Sequence, residues 1–293
     1  MGRIPLEDNF GDIVGKAQRG LRVTAAELAR RAGVPALRSP LSAVASAKAD
    51  GEGGPASLDD AAIRKLAAAL HLGAEALVAS AHASWRPRDQ EPFDGFAAFT
   101  TPFDDMTVNA YLVFDPKTRQ AAAVDTGADA DPMLEFIREN HLKIELILLT
   151  HTHTDHVYEL DRLKHATGAT AWVSEREPLG GAEPFADGKE FALGGLNIAT
   201  RRTSGHARGG TTFVVTGLTK RLAVVGDALF AGSMGGGLVN YDEALRTNRA
   251  AIFTLPDDTV ICPGHGPLTT VGEEKRHNPF FPEFQQPHAA PQQ

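Results

Sequence analysis

Six consecutive residues, His151-Thr152-His153-Thr154-Asp155-His156, carry four groups able to bind a metal ion. Imidazole nitrogen and carboxylate oxygen are the donors that a borderline cation such as Zn²⁺ takes. The run stands directly behind the apolar stretch Leu146-Ile147-Leu148-Leu149, so a strand would deliver it to the edge of a sheet. Alternating donors just past a strand end can point to opposite sides of one pocket and serve two metal positions. Three further elements carry donors where a strand is predicted to give way to a loop. They are Ser204-Gly205-His206, Gly226-Asp227 behind Leu222 to Val225, and Pro263-Gly264-His265-Gly266 behind Thr259 to Cys262. Alone each is bland, since Gly-Asp is a common turn and a lone histidine is usually a surface group. Together with the first run they supply the donors that two metals need.

The elements that must position these donors begin near residue 93. Short runs rich in Val, Ile, Leu and Ala predict strands over Val108 to Phe114, Ala121 to Val124, Ile144 to Leu149, Ala169 to Val173, Thr212 to Val215, Leu222 to Val225 and Thr259 to Cys262. Helical spacing predicts Asp131 to Asn140, Val157 to Ala166 and Asp242 to Phe253 as helices. Strands interleaved with helices point to an α/β arrangement. The first 80 or so residues are helical instead. Thr24-Ala25-Ala26-Glu27 has capping-box spacing ahead of Leu28, Ala29 and Ala32, with Gly33 and Pro35 as the stop. A second helix is predicted from Ser57, with Ile63, Leu66, Ala67 and Leu70 on one face. These patterns divide the chain into a helical segment over 1–84, a Pro- and charge-rich linker over 85–92, the α/β domain over 93–281 and a flexible Pro- and Gln-rich tail over 282–293.

Residues 1–88 carry 12 Lys/Arg against 9 Asp/Glu, and residues 89–293 carry 17 against 28. A mildly basic segment therefore precedes an acidic one. Membrane-spanning is not expected, because no stretch reaches the roughly 18 apolar residues that reading needs. Met1-Gly2-Arg3-Ile4-Pro5 lacks the apolar core of a signal peptide. A lone cysteine, Cys262, cannot pair within the chain, so a cytoplasmic location is expected. The cysteine itself reads as a buried strand residue.

In order and type, the donor elements resemble the metallo-β-lactamase superfamily over roughly residues 94 to 281. The resemblance implies an αββα sandwich with the metals at one edge of its two sheets. It assigns His151, His153 and His206 to one metal, Asp155, His156 and His265 to a second, and Asp227 to a bridge between them. Asp125, in Val124-Asp125-Thr126-Gly127, matches the early Asp of the superfamily, whose role is structural. Gly226-Asp227-Ala228-Leu229-Phe230-Ala231-Gly232-Ser233, Pro263-Gly264-His265-Gly266-Pro267 and the ending Gly272 to Phe280 are similar to the glyoxalase II branch, which hydrolyses thioesters such as S-lactoylglutathione. The implied cofactor is zinc, two per chain, with iron or manganese as alternatives. The implied partner is a small-molecule thioester or ester, with Asp155 and Asp227 as catalytic carboxylates. Lys275 and Arg276 are candidates for holding a substrate carboxylate, a task suited to Arg in particular. A mononuclear-iron persulfide dioxygenase using His151, His206 and Asp227 is the competing expectation. Met234-Gly235-Gly236-Gly237-Leu238, standing where many relatives have a Gly-Arg-Thr-Asp-like run, argues against it.

Residues 9 to 80 resemble a repressor-type helix-turn-helix, through Thr24 to Val34 and Ile63 to Leu77. This resemblance implies a DNA-binding regulator with a metallohydrolase-fold sensor as a further alternative. The recognition region, Pro35 to Ser42, contains a proline that would remove a helical hydrogen bond and offers only Arg38, Ser39 and Ser42 to base edges. A surplus of three positive charges is also small for duplex binding. Dimerisation or packing against the large domain is the favoured role, with nucleic acid as the lesser alternative.

Overall fold

The structure is a computed structural model and describes residues 3–34 and 58–285. The predicted recognition region and residues 286–293 of the predicted tail lie outside them. Two six-stranded sheets stack face to face. The first runs β1(Phe96–Phe103), β2(Met106–Phe114), β3(Gln120–Val124), β4(Lys143–Leu148), β5(Thr170–Ser174) and β6(Glu183–Phe185), adjacent in that order. In the second, β12(Thr269–Thr270), β11(Val260–Pro263), β10(Leu222–Gly226), β9(Thr211–Thr216), β8(Leu196–Arg202) and β7(Glu190–Leu193) lie side by side.

Alternation along the strands builds the layers. On β2, Tyr111 and Val113 enter the core between the sheets, while Ala110, Leu112 and Phe114 face outward. On β10, Leu222 and Val224 point inward and Ala223 and Val225 outward. Both faces of both sheets are therefore apolar, and each outer face needs a cover. Over the first sheet lie α5(Asp131–Glu139) and α7(Leu160–Thr167), burying Met133 and Leu163. Over the second lie α8(Tyr241–Ala251) and the amino-terminal helices α1(Phe10–Gly20), α2(Ala25–Ala32), α3(Asp60–Ala69) and α4(Ala74–Ala81). The result is an αββα sandwich with a helical amino-terminal part.

The amino-terminal helices share a continuous core with the second sheet. Leu28, Leu66 and Leu77 are each 0% exposed and belong to the same cluster as Val225, Ile261, Ile252 and Phe280. Each such leucine contributes roughly 1.5–3 kcal/mol on burial. Trp85, in the predicted linker, stacks on His277 with ring centroids 4.8 Å apart. The Arg88 amide donates to Glu273 at 2.9 Å, so residues 85–92 are fastened to the sandwich.

Several boundaries differ from expectation. The helix predicted from Ser57 starts at Asp60, because the Asp59 carboxylate accepts from the Ala62 amide and caps it there. Thr24 caps α2 through the Glu27 amide, but the Glu27 carboxylate turns to Arg31 rather than closing the capping box. The helix predicted over Val157 to Ala166 is two helices, α6(Thr154–Val157) and α7. The Glu159 amide donates to the Thr126 hydroxyl at 3.1 Å instead of to a helical carbonyl, which breaks the run. The first residues of the predicted tail, 282–285, pack on the sandwich. Pro282–Phe284 form a 3₁₀ turn, Phe284 stacks on Phe253 at 4.9 Å, and Gln285 donates to the Asn278 carbonyl.

Candidate metal centre

The loops that carry the donors gather at the ends of β4, β8, β10 and β11. Two groups form. The donor atoms of His151, His153, His206 and Asp227 lie within 4.8 Å of one another, as do those of Asp155, His156 and His265. Asp227 touches both. Its Oδ1 is 3.2 Å from His156 Nε2, and its Oδ2 is 3.4 Å from His206 Nε2 and 3.5 Å from His265 Nε2. All seven donors named from the sequence are therefore together. Their delivery differs in one respect: His151 and His153 follow the strand end, whereas Asp155 and His156 sit in the turn of α6.

The outward ring nitrogens are already spoken for. His206 Nδ1 donates to the Gly236 carbonyl at 3.0 Å, and His265 Nδ1 to the Thr107 carbonyl at 2.6 Å. His156 Nδ1 donates to Asp125 Oδ2 at 2.8 Å. The Thr150 hydroxyl donates to that same oxygen at 2.8 Å and accepts from His151 Nδ1 at 3.0 Å. A carbonyl or carboxylate on Nδ1 fixes the proton there and leaves the Nε2 lone pair facing inward, the arrangement that metal-binding histidines use.

The interior of the cluster suits cations. His156 Nε2 and Asp227 Oδ1 are buried without a hydrogen-bond partner, which is costly unless something positive lies between them. His153 Nδ1 stands 3.0 Å from Nε2 of both His151 and His206, so three imidazole nitrogens converge. Burial holds the His151 imidazole well below its ordinary range and lowers His206 as well, leaving neutral rings with free lone pairs. Burial also opposes charge on His156 and His265. The carboxylates of Asp227 and Asp125 nevertheless raise His156 to about 10, and hydrogen bonds to Asp155 and Asp227 raise His265 to about 11. These carboxylates thus favour positive charge beside the two Nε2 atoms, the place where a divalent cation would take the lone pairs. Gly264 leaves room at this point, since a Cβ there would overlap Asp227 Oδ1 and the His156 ring.

Other residues of the site carry no signal in the sequence. Glu177 accepts from the Thr152 amide at 2.9 Å and from the Gly209 amide at 2.6 Å, tying the His151 loop to the His206 loop. Tyr111 Oη and Asn109 Nδ2 both donate to the Pro263 carbonyl, at 2.6 and 3.0 Å, and hold the His265 loop. Glu7 is a half-buried acid packed against Gly266. Burial raises its carboxyl while the charge of His265 pulls it down. Cys262 is fully buried on β11, and burial pushes its thiol up.

Lys275 and Arg276 do not join the cluster. Lys275 pairs with Asp257 at 2.7 Å on α9(Val271–His277). Among the described residues, no hydrogen bond or ion pair links either of them to the donors. No described helix is long and apolar enough to cross a membrane.

The family model described as the metallo-beta-lactamase superfamily matches residues 103–265. The hydroxyacylglutathione hydrolase GloC of Haemophilus influenzae is 31% identical over 198 residues, spanning 59% of this chain and 92% of that protein. A probable metallo-hydrolase of Streptococcus pyogenes serotype M6 is 33% identical over 199 residues, 58% of this chain and 84% of that one. A crystal structure solved in a di-iron-bound form superimposes with a TM-score of 0.51 at 26% identity, covering 62% of this chain and 99% of that one. Neither the helix-turn-helix resemblance nor a nucleic-acid or homodimer role gains support from these similarities.

Proposed function

The chain belongs to the metallo-beta-lactamase superfamily, and from that premise we propose that it is a metal-dependent hydrolase of thioesters, similar in reaction to the glyoxalase II branch. The carrying observation is the pair of donor groups with Asp227 in contact with both. His151, His153 and His206 would hold one metal, Asp155, His156 and His265 the other, with Asp227 between them. Zinc suits the imidazole-rich donor set, and iron is the alternative. When bound, a cation pair supplies Lewis acidity and brings a water toward a pKa of about 7.

The residues of the chain do the rest. Asp227, in contact with His156, His206 and His265, would offset repulsion between two cations held by the two groups. Asp155, buried with Oδ2 at 3.2 Å from His265 Nε2, would orient the attacking water or accept its proton. Asp125, Thr107 and Gly236 fix the rings, so no reorganisation is needed during turnover. A mononuclear-iron reading uses only His151, His206 and Asp227 and leaves His153, Asp155, His156 and His265 without a task. Hydrolysis of S-D-lactoylglutathione, followed by release of free thiol, tests the proposal. Oxygen consumption with a persulfide substrate and one iron per chain would replace it.

A further inference from the structure

Resting on the thioester reading, we propose that α1 and its following turn form a subsite for the anionic end of the substrate's thiol carrier. A cleft of about 720 Å³ lies between them and the loop over residues 236–242, a size within the usual range for small-molecule sites. Lys16, Arg19 and Arg22 line one wall; Gly236, Leu238 and Tyr241 line the other.

The cleft adjoins the metal centre by two routes. Gly236, in its wall, is the residue whose carbonyl accepts from His206 Nδ1 at 3.0 Å. Lys16 Nζ donates to the Met234 carbonyl at 3.0 Å and sits 4.9 Å above the Phe230 ring. That ring in turn meets His265 edge-on at 5.7 Å. The cleft thus lies one residue away from the cluster, and in this proposal the acyl end of the carrier reaches the cluster past Gly236.

Charge selects the ligand. Lys16 is neutralised by Asp8, and Asp242 is the carboxylate on the cleft's own wall. Arg19 and Arg22 are exposed and take part in no ion pair among the described residues. In a chain of net charge −8, two such arginines form a local attraction for an anion against the overall field. Each can bind a carboxylate or phosphate bidentately. Arg22 holds φ +54° as the left-handed residue that ends α1, where the Val23 amide donates to the Gln18 carbonyl at 3.2 Å. Leu238 and Val239, 72% and 50% exposed, add an apolar edge. A thiol carrier with an apolar stretch and terminal carboxylates or phosphates matches all of these features.

The test uses the metal-loaded protein and the double variant Arg19→Ala/Arg22→Gly. Both side chains are exposed, and glycine suits the Arg22 backbone, so the fold should stand; metal content and melting temperature check this. Three thioesters are compared: S-D-lactoylglutathione with carboxylates, acetyl-coenzyme A with phosphates, and uncharged S-acetyl-N-acetylcysteamine. We expect kcat/KM for the preferred anionic thioester, relative to the uncharged one, to fall at least tenfold in the variant, through KM. Which anionic thioester is preferred distinguishes carboxylate from phosphate recognition. An unchanged ratio overturns the subsite while leaving the thioester reading intact. If the wild-type protein turns over none of the three, the thioester reading fails on its own. Calorimetric titration with glutathione and coenzyme A then decides the subsite: binding lost in the variant supports it, and no binding to wild type overturns it.

Discussion

Oδ2 of Asp125 accepts from both His156 Nδ1 and the Thr150 hydroxyl, each at 2.8 Å, with all three residues buried. One carboxylate oxygen thereby orients rings from both donor groups, His156 directly and His151 through Thr150. Asp125 itself has φ +57°, a region that Asp and Asn tolerate better than other side chains. Asp125→Asn keeps the backbone and removes the charge. We expect metal affinity to fall by roughly 10–100-fold, the usual cost of losing such a partner, measured by competition with a chelating indicator.

Gly264 is the position where added bulk strikes the site most directly. Its Cβ would overlap Asp227 Oδ1 and the His156 ring. A misplacement near 1 Å costs on the order of 100-fold in rate. Gly264→Ala should therefore lose at least that much turnover while keeping the far-ultraviolet circular dichroism of the parent.

The amino-terminal helices should unfold together with the sandwich. Leu66 and Leu77 lie in the cluster that contains Val225 and Ile261, so one core serves both. Leu66→Ala is expected to cost about 2–5 kcal/mol. Denaturant unfolding followed by tryptophan fluorescence and by circular dichroism should give coincident single transitions. Two separated transitions would mean that the helices form an independent unit.

Glu274 makes stability depend on pH. Burial pushes its carboxyl up to about 8, against the pull of donors from Asn278, Thr269 and Gly232. The unfolded chain loses this proton near 4.5, so over the interval up to about 8 the folded state binds more protons. Stability from this group is then full below the unfolded value and declines as pH rises through about 8. Glu274→Gln removes the dependence. Between pH 5.5 and 8.5 the wild-type denaturation midpoint should fall more than that of the variant, whatever constant offset the amide introduces.

The clustered His and Asp residues were legible because four of them fall within six positions behind an apolar strand, and Asp227 and His265 follow apolar runs of their own. Strands such as β2, β4 and β10 were legible for the same reason, whereas β7 and β8, which supply Phe191, Leu193, Leu196 and Ile198 to the inter-sheet core, were not. Glu177 was not, since one acid in Ser174-Glu175-Arg176-Glu177 has no periodicity to mark it, and only the folded loops reveal what it joins. Strand β1 escaped because Phe96 to Phe103 does not alternate cleanly and carries Pro102, which an edge strand tolerates. The amphipathic faces of the amino-terminal helices were visible, but a face does not name what covers it. Their packing on the second sheet depends on residues such as Ile252 and Phe280, more than 170 positions away in the chain. Lys275 pairs with Asp257, a contact that no local pattern around the carboxy-terminal helix marks.

The most direct measurement is metal content and S-D-lactoylglutathione turnover on one sample, before and after chelation, with Asp227→Ala alongside. We expect about two metals per chain, turnover that disappears with the metal and returns on its readdition, and losses of both metal and rate by orders of magnitude in the variant. An Asp227→Ala protein that kept its metal and its full rate would contradict the assignment of the site.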